Sequence, residues 1–251
     1  MAALPVTPLP PPSPQPAPLS EGARLINVFV APSKTFSDLR RKSNWWVPWL
    51  LISIFSTALI FVVGQQIGFD QVSRNQIAHS ARADQFDKLP PDQQARQIRI
   101  SATATRYFGY AFPAVILLSF VVIAAILMGV FKVAGGDVPY GVALAIVAYG
   151  SLPGILHATL SIISMFAGVD RESFDINNPV ATNPAYLMDP MSHKFLRGMA
   201  SGLDVFMLWS LVLMGIGFAC NSKVKRSTAI LVVLVLYLGW KLVISGFAAA
   251  F

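Results

Sequence analysis

Trp46 to Gly64 reads WVPWLLISIFSTALIFVVG and holds no charged residue. At a rise of about 1.5 Å per residue, roughly twenty helical residues cover the ~30 Å hydrocarbon core of a bilayer. The stretch predicts a transmembrane helix over about Val47–Ile67. Pro48 falls in its first turn, where a missing N–H loses no partner. Four more apolar runs follow, over about Phe112–Val133, Tyr140–Gly168, Leu203–Ala219 and Thr228–Phe247. Backbone polar groups in lipid must be paired within their own segment, which leaves helices as the economical solution. The expected fold is all-α: a polytopic integral membrane protein, a bundle of about five transmembrane helices.

Composition points the same way. Of 251 residues, 55% are hydrophobic and 12% charged, with a mean hydropathy of +0.60. Soluble domains carry about 25% charged residues. Cys220 is the one cysteine, so no intrachain disulfide forms. It reads as a small apolar residue at a span end; lipidation beside the basic stretch after it is the alternative. The net charge is +7. Its basic residues mostly flank apolar runs, so the bilayer, through anionic headgroups, is the expected partner. No basic patch with interleaved aromatics occurs, and nucleic acid is not expected.

Pro5 to Pro18 is dense in proline, with Pro10, Pro11 and Pro12 in a row. Basic residues followed by an apolar core would mark a signal peptide, and this start has neither. Residues 1–23 are expected to form a disordered tail with polyproline II character. Residues 24–251 then form the membrane domain.

The approach to the first span is amphipathic. Ser33 is placed to cap a short helix in which Phe36 and Leu39 share one face, and Arg40, Arg41 and Lys42 follow. A segment lying on the membrane surface is expected, with Phe36 wedged into one leaflet. Trp45, Trp46 and Trp49 suit the headgroup level. Beyond the span, Phe69 to Tyr110 is a polar connection. Pro90-Pro91-Asp92 starts a helix there, with Ala95, Ile98, Ala102 and Thr105 along one side, expected to run close to or into the second span. Gly135-Gly136-Asp137 is a turn. Asp170 to Gly202 is a second polar connection, with turn signals at Asn177-Asn178-Pro179 and Asn183-Pro184.

Five spans put the two termini on opposite sides. Raw counts of Lys and Arg tie between the two faces. The cluster at Arg40 abuts the first span, however, and the loop Lys223–Arg226 is short and basic. Charges near span ends and in short loops weigh most, so the amino terminus is expected in the cytosol.

A few residues stand out as candidates for chemistry. Asp204 opens the fourth span and Lys241 lies late in the fifth. A lone charge deep in hydrocarbon costs at least ~2.5–3.5 kcal/mol on insertion scales, which favours an intramembrane polar pair, structural or functional. His157 lies in the third span near Ser151, Ser161 and Ser164, and is expected to bond a backbone carbonyl or a serine. Gly150-x-x-x-Gly154 permits close helix approach, and Pro153 adds a bend or hinge. Gly64-x-x-x-Gly68 and Gly198-x-x-x-Gly202 lie at span edges, where the signal is weaker. No phosphate-binding glycine loop, Gly-x-Ser-x-Gly elbow or His-Glu-x-x-His occurs. No catalytic residue, metal site or cofactor is expected, and the chain is not expected to be an enzyme.

Three stretches resemble the Yip-domain (Ypt-interacting protein) family in its bacterial branch. They are Val28–Phe36 before Trp45-Trp46-Val47-Pro48-Trp49, then Ala148-Tyr149-Gly150-Ser151-Leu152-Pro153, and finally Asn178–Asn183 with Leu203–Trp209. The likeness covers roughly Arg24 to Ala249. It implies a five-span bundle with a cytosolic amino terminus in a bacterial plasma membrane. Eukaryotic relatives bind Rab-type GTPases and partner membrane proteins. This chain has neither their Asp-Leu-Tyr-Gly-Pro motif nor their long acidic cytosolic region, so GTPase binding is not carried over.

Two functions compete. One is a non-enzymatic scaffold or organiser, working through contacts with other membrane proteins or with itself. The other is a transporter or permease subunit with a polar path near Asp204, Lys241 and His157. The second requires those residues to converge on one water-accessible cavity.

Overall fold

The computed structural model describes residues 17–80, 83–189 and 193–250. The proline-rich stretch as far as residue 16 lies outside the described residues. Among the described residues the chain is all helical.

The chain starts with two short helices, α1 (Glu21–Val30) and α2 (Pro32–Asp38). Ser20 caps α1, its Oγ accepting from the Ala23 amide at 3.2 Å, so α1 begins within the stretch 1–23 that was expected to be tail. Pro32 occupies the first turn of α2, where its ring suits the helix. Ala31 therefore holds the cap position expected of Ser33.

Next, α3 (Trp46–Gln66) is the first long apolar helix. Gly68, at φ +89°, lets the chain turn sharply into α4 (Phe69–Ala78). The short α5 (Ala83–Asp87) leads to α6, which runs unbroken from Pro91 to Val133. At 1.5 Å per residue those 43 residues reach about 65 Å, well beyond a bilayer core. Ile98 and Ala102, in its polar first half, are buried by packing on α4. Gly135, at φ +81°, makes the following turn.

The third apolar run is two helices, α7 (Tyr140–Gly150) and α8 (Pro153–Phe166), separated by Ser151 and Leu152. Pro153 cannot donate to the preceding turn, so the ladder restarts at it. Every residue from Val142 to Gly150 is buried. An apolar helix with no polar face is the one a bundle surrounds. α7 is that centre, with α3, α6 and α10 (Val205–Asn221) packed around it. Before α10 comes a loop with a 3₁₀ turn at Pro184–Leu187, then α9 (Lys194–Ser201), bent 55° from α10. The chain finishes with α11 (Arg226–Ala250).

Among the described residues, four helical units are long and apolar enough to cross a membrane, and a fifth is added when α9 and α10 count as one broken span. The bundle has two ends. Arg40 donates to the carbonyls of Asp137 and Asn221, which brings the start of α3, the α6–α7 turn and the α10–α11 loop to one end. The Asn75 amide nitrogen donates to the carbonyls of Arg171 and Phe174, at 2.8 and 2.9 Å, which gathers the two polar connections at the other.

The main core joins α2, α6, α7 and α10. Phe131 stacks on Phe218 with centroids 4.4 Å apart. Phe36 and Leu39 are fully buried in this core, which corrects the expectation that Phe36 wedges into a leaflet. The hairpin of α1 and α2 packs into the bundle. Asn221 holds it there, donating to the Phe36 carbonyl at 2.8 Å. Ile26 and Val30, on the opposite face of α1, are left exposed.

Candidate functional site: two polar clusters within the bundle

The first cluster sits between the hairpin and α7. Arg24 is fully buried. Its Nε and Nη2 both donate to Asp38 Oδ2, at 2.9 and 2.7 Å, and its Nη1 donates to Glu21 Oε1 at 3.2 Å. The Leu19 amide also donates to Asp38 Oδ2. Thr35 Oγ1 donates to the Arg24 carbonyl at 2.9 Å, tying α2 back to α1. Glu21 then reaches the central helix, where Tyr149 Oη donates to its Oε2 at 2.7 Å. Asn44 donates to its other oxygen. Burial opposes the charge on Arg24; the bond to Asp38 and the charges of Glu21 and Asp38 outweigh it and raise its pKa. The residues reach the cluster from α1, α2, the α2–α3 link and α7. None of them was singled out from the sequence for chemistry, although Thr35 lies in the first resembling stretch and Tyr149 in the second.

The second cluster lies at the start of α10. Asp204 caps that helix, its Oδ1 accepting from the Met207 amide at 2.9 Å. Its Oδ2 accepts from the Thr182 hydroxyl. The Val205 amide donates to the Thr182 carbonyl at 3.1 Å. Thr182 thus brackets Asp204, and the two halves of the third resembling stretch meet there. His157 of α8 brings its Nε2 to 4.0 Å from Asp204 Oδ2. Its ring lies edge-on to Phe206 at 5.9 Å. The bond expected between His157 and a serine involves its backbone only: Ser161 Oγ donates to the His157 carbonyl.

Lys241 does not join this cluster. Its Nζ donates to Ser201 Oγ at 3.3 Å, and its carbon stem lies over Gly202. Asp204 and Lys241 form no ion pair, contrary to the expected pairing, because the α9–α10 bend interposes Ser201 and Gly202. Asp204 meets Thr182 and His157 instead.

The packing residues divide. A Cβ on Gly150 would lie 2.6 Å from Met214 Cγ, so α7 and α10 need that glycine; Gly154 has nothing within 4 Å and faces open space. Gly198 and Gly202 both lie against α11, on Ser245 and Lys241. The closest approach to a main-chain atom belongs to α10. A Cβ on Gly215 would lie 2.5 Å from Ile230 Cα, and one on Gly217 2.5 Å from Ile146 and 2.9 Å from Phe36. Of the tryptophans, Trp46 is 51% exposed, as an interfacial anchor would be. Trp45 and Trp49 are half-buried against the core, and Trp49 Nε1 donates to the Pro113 carbonyl at 3.1 Å. Cys220 is half-buried at the end of α10.

Two cavities are formed at the end that gathers the polar connections. One, of about 410 Å³, is lined by polar and charged side chains of the loops and α9. The other, of about 490 Å³, is largely apolar and lies between α3 and α6. Asp204, His157 and Lys241 line neither. Among the described residues no three His, Cys, Asp or Glu side chains gather as metal ligands would.

Fold and clusters together define a polytopic helical membrane protein whose amino-terminal hairpin is fastened to its core by buried charge. A family model described as the Yip1 domain matches residues 26–246. The chain belongs to the Yip1-domain family. Neither the curated proteins nor the solved structures contain a match.

Proposed function

We propose that the chain is a non-enzymatic scaffold of a bacterial plasma membrane, organising other membrane proteins or further copies of itself from the end that holds α2. The observation that carries this is the charge of that end. Lys34, Arg40, Arg41, Lys42, Lys132, Lys223, Lys225 and Arg226 are exposed there. Asp38 and Glu21 are turned inward onto Arg24. Asp137 is the exposed acid beside them, so this end keeps a large positive excess, which suits anionic lipid and acidic partner surfaces. With Phe36 buried, a hydrophobic wedge is no part of the mechanism. A polar transport path is not proposed, because its three residues line neither of the two cavities described and Lys241 stands apart from Asp204 and His157.

Photo-crosslinkers at Lys34 and Lys223 in native membranes test the reading. Specific protein adducts are expected from both positions, and they should fall when Lys42 and Lys225 are changed to glutamate. Adducts to lipid alone would end it.

A further inference from the structure

The two cavities share one wall. Phe174 to Pro179 runs between them, and Asn177 lines both. On one side is the groove between α3 and α6, with Leu59, Ile60, Val63, Phe108 and Phe112 along it. These positions lie in the last third of α3 and in α6 at the start of its apolar half, so the groove belongs to hydrocarbon depth. On the other side, Lys194 and Arg197 of α9 line the polar cavity together with Asp175, His79 and Ala248. Ala248 is two residues from the end of α11, which sets this cavity where a span gives way to headgroups.

Charge identifies the occupant. Arg197 Nη2 pairs with Asp175 Oδ2 at 3.1 Å, which offsets one positive charge. Lys194 is exposed and has no ion pair among the described residues, so the cavity keeps an excess positive charge. An apolar slot beside a cationic pocket, with one residue common to both, matches an anion that carries a hydrocarbon chain. We propose that the groove and the pocket together hold one anionic phospholipid, an acyl chain between α3 and α6 and the headgroup phosphate at Lys194 and Arg197. This does not depend on the scaffold reading, which concerns the opposite end.

The full chain in mild detergent, titrated with phosphatidylglycerol or phosphatidylcholine of the same acyl chains and followed by native mass spectrometry, tests it. Wild type should retain phosphatidylglycerol preferentially. Loss of one charge-assisted contact in Lys194→Gln should weaken that retention about tenfold and leave phosphatidylcholine unchanged. Ala104→Trp, which fills the groove from an exposed position, should weaken both lipids. Lys194 is exposed, and an unchanged melting midpoint in Lys194→Gln is the control that its fold is kept. Equal retention of the two lipids by wild type, or unchanged retention in Lys194→Gln, overturns the proposal. So does protection of the site by inorganic phosphate as strong as that by the lipid, since it would then be a free-phosphate site.

Discussion

Arg24 is fully buried, and its charge is answered by Asp38 and Glu21. Removing one member of such a pair leaves an uncompensated buried ion, at about 3–5 kcal/mol, whereas a packed apolar replacement of both is often near neutral. Arg24→Ala should therefore lower the thermal unfolding midpoint in detergent sharply. The double change Arg24→Met with Asp38→Leu should recover most of the loss; a double variant as weak as the single one would show that the cluster does more than compensate charge. Asp204 makes a smaller claim. Its Asn variant keeps an acceptor for the Met207 amide, and its Ala variant should cost about 1 kcal/mol as a lost helix cap. Lys241→Met should be close to silent. The charge exchange Asp204→Lys with Lys241→Asp should not rescue either single change, and a rescue would restore the direct pair. Charges inside apolar runs are easy to see in a sequence, which is why Asp204, Lys241 and His157 stood out. Their partners are set by the bend between Ser201 and Val205, which no local pattern encodes. Arg24 and Asp38 were invisible for another reason: both lie outside the spans, on two helices whose fold-back at Ala31-Pro32 decides that they meet.

Among the elements, α10 carries the tightest approach to another helix's main chain, and its glycines meet neighbours on different sides. Gly215 admits the backbone of α11, while Gly217 admits Ile146 of α7 and Phe36 of α2. Adding volume to a packed interior costs typically 1–3 kcal/mol, and more where backbone would have to move. Gly215→Val should be the worst tolerated, because its neighbour is the Ile230 main chain. Gly217→Val should follow, with loss of the α2 contact visible as faster proteolysis of the hairpin. Gly154→Ala should change neither melting nor proteolysis. A search for glycines four apart finds pairs on one helical face, and of the pair it marked, Gly150 lies against Met214 while Gly154 meets nothing. It missed Gly215 and Gly217, whose spacing of two sends them to separate partners. The long helix was more legible. The proline start, the buried stripe of Ile98 and Ala102, and the uncharged run after them all keep one period, so α6 continues from the polar connection into the span. The buried hairpin was not legible, since Phe36 and Leu39 show an apolar stripe and say nothing about whether lipid or protein covers it.

For the molecule as a whole, everything about sidedness turns on the unit made by α9 and α10. On its own α10 is 17 residues, about 26 Å, short of a comfortable crossing. Joined to α9 it is long enough, bent by 55°. If the pair crosses, the number of spans is odd and the chain ends on the side opposite its start. The short connections Ala134–Pro139 and Ser222–Lys225 lie at the end with Arg40 to Lys42, and short basic connections are the ones retained in the cytosol. Impermeant maleimide on intact cells tests both points in a Cys220→Ser background. Lys88→Cys, exposed on the far connection, should label at once. Lys223→Cys should label only after the membrane is opened, and an added cysteine after Phe251 should behave like Lys88→Cys. Labelling of Lys223→Cys in intact cells, with Lys88→Cys protected, would invert the orientation and keep the odd count. Labelling of both Lys88→Cys and Lys223→Cys in intact cells, with the carboxyl-terminal cysteine protected, would instead make α9 and α10 a re-entrant loop, since α11 still crosses after Lys223.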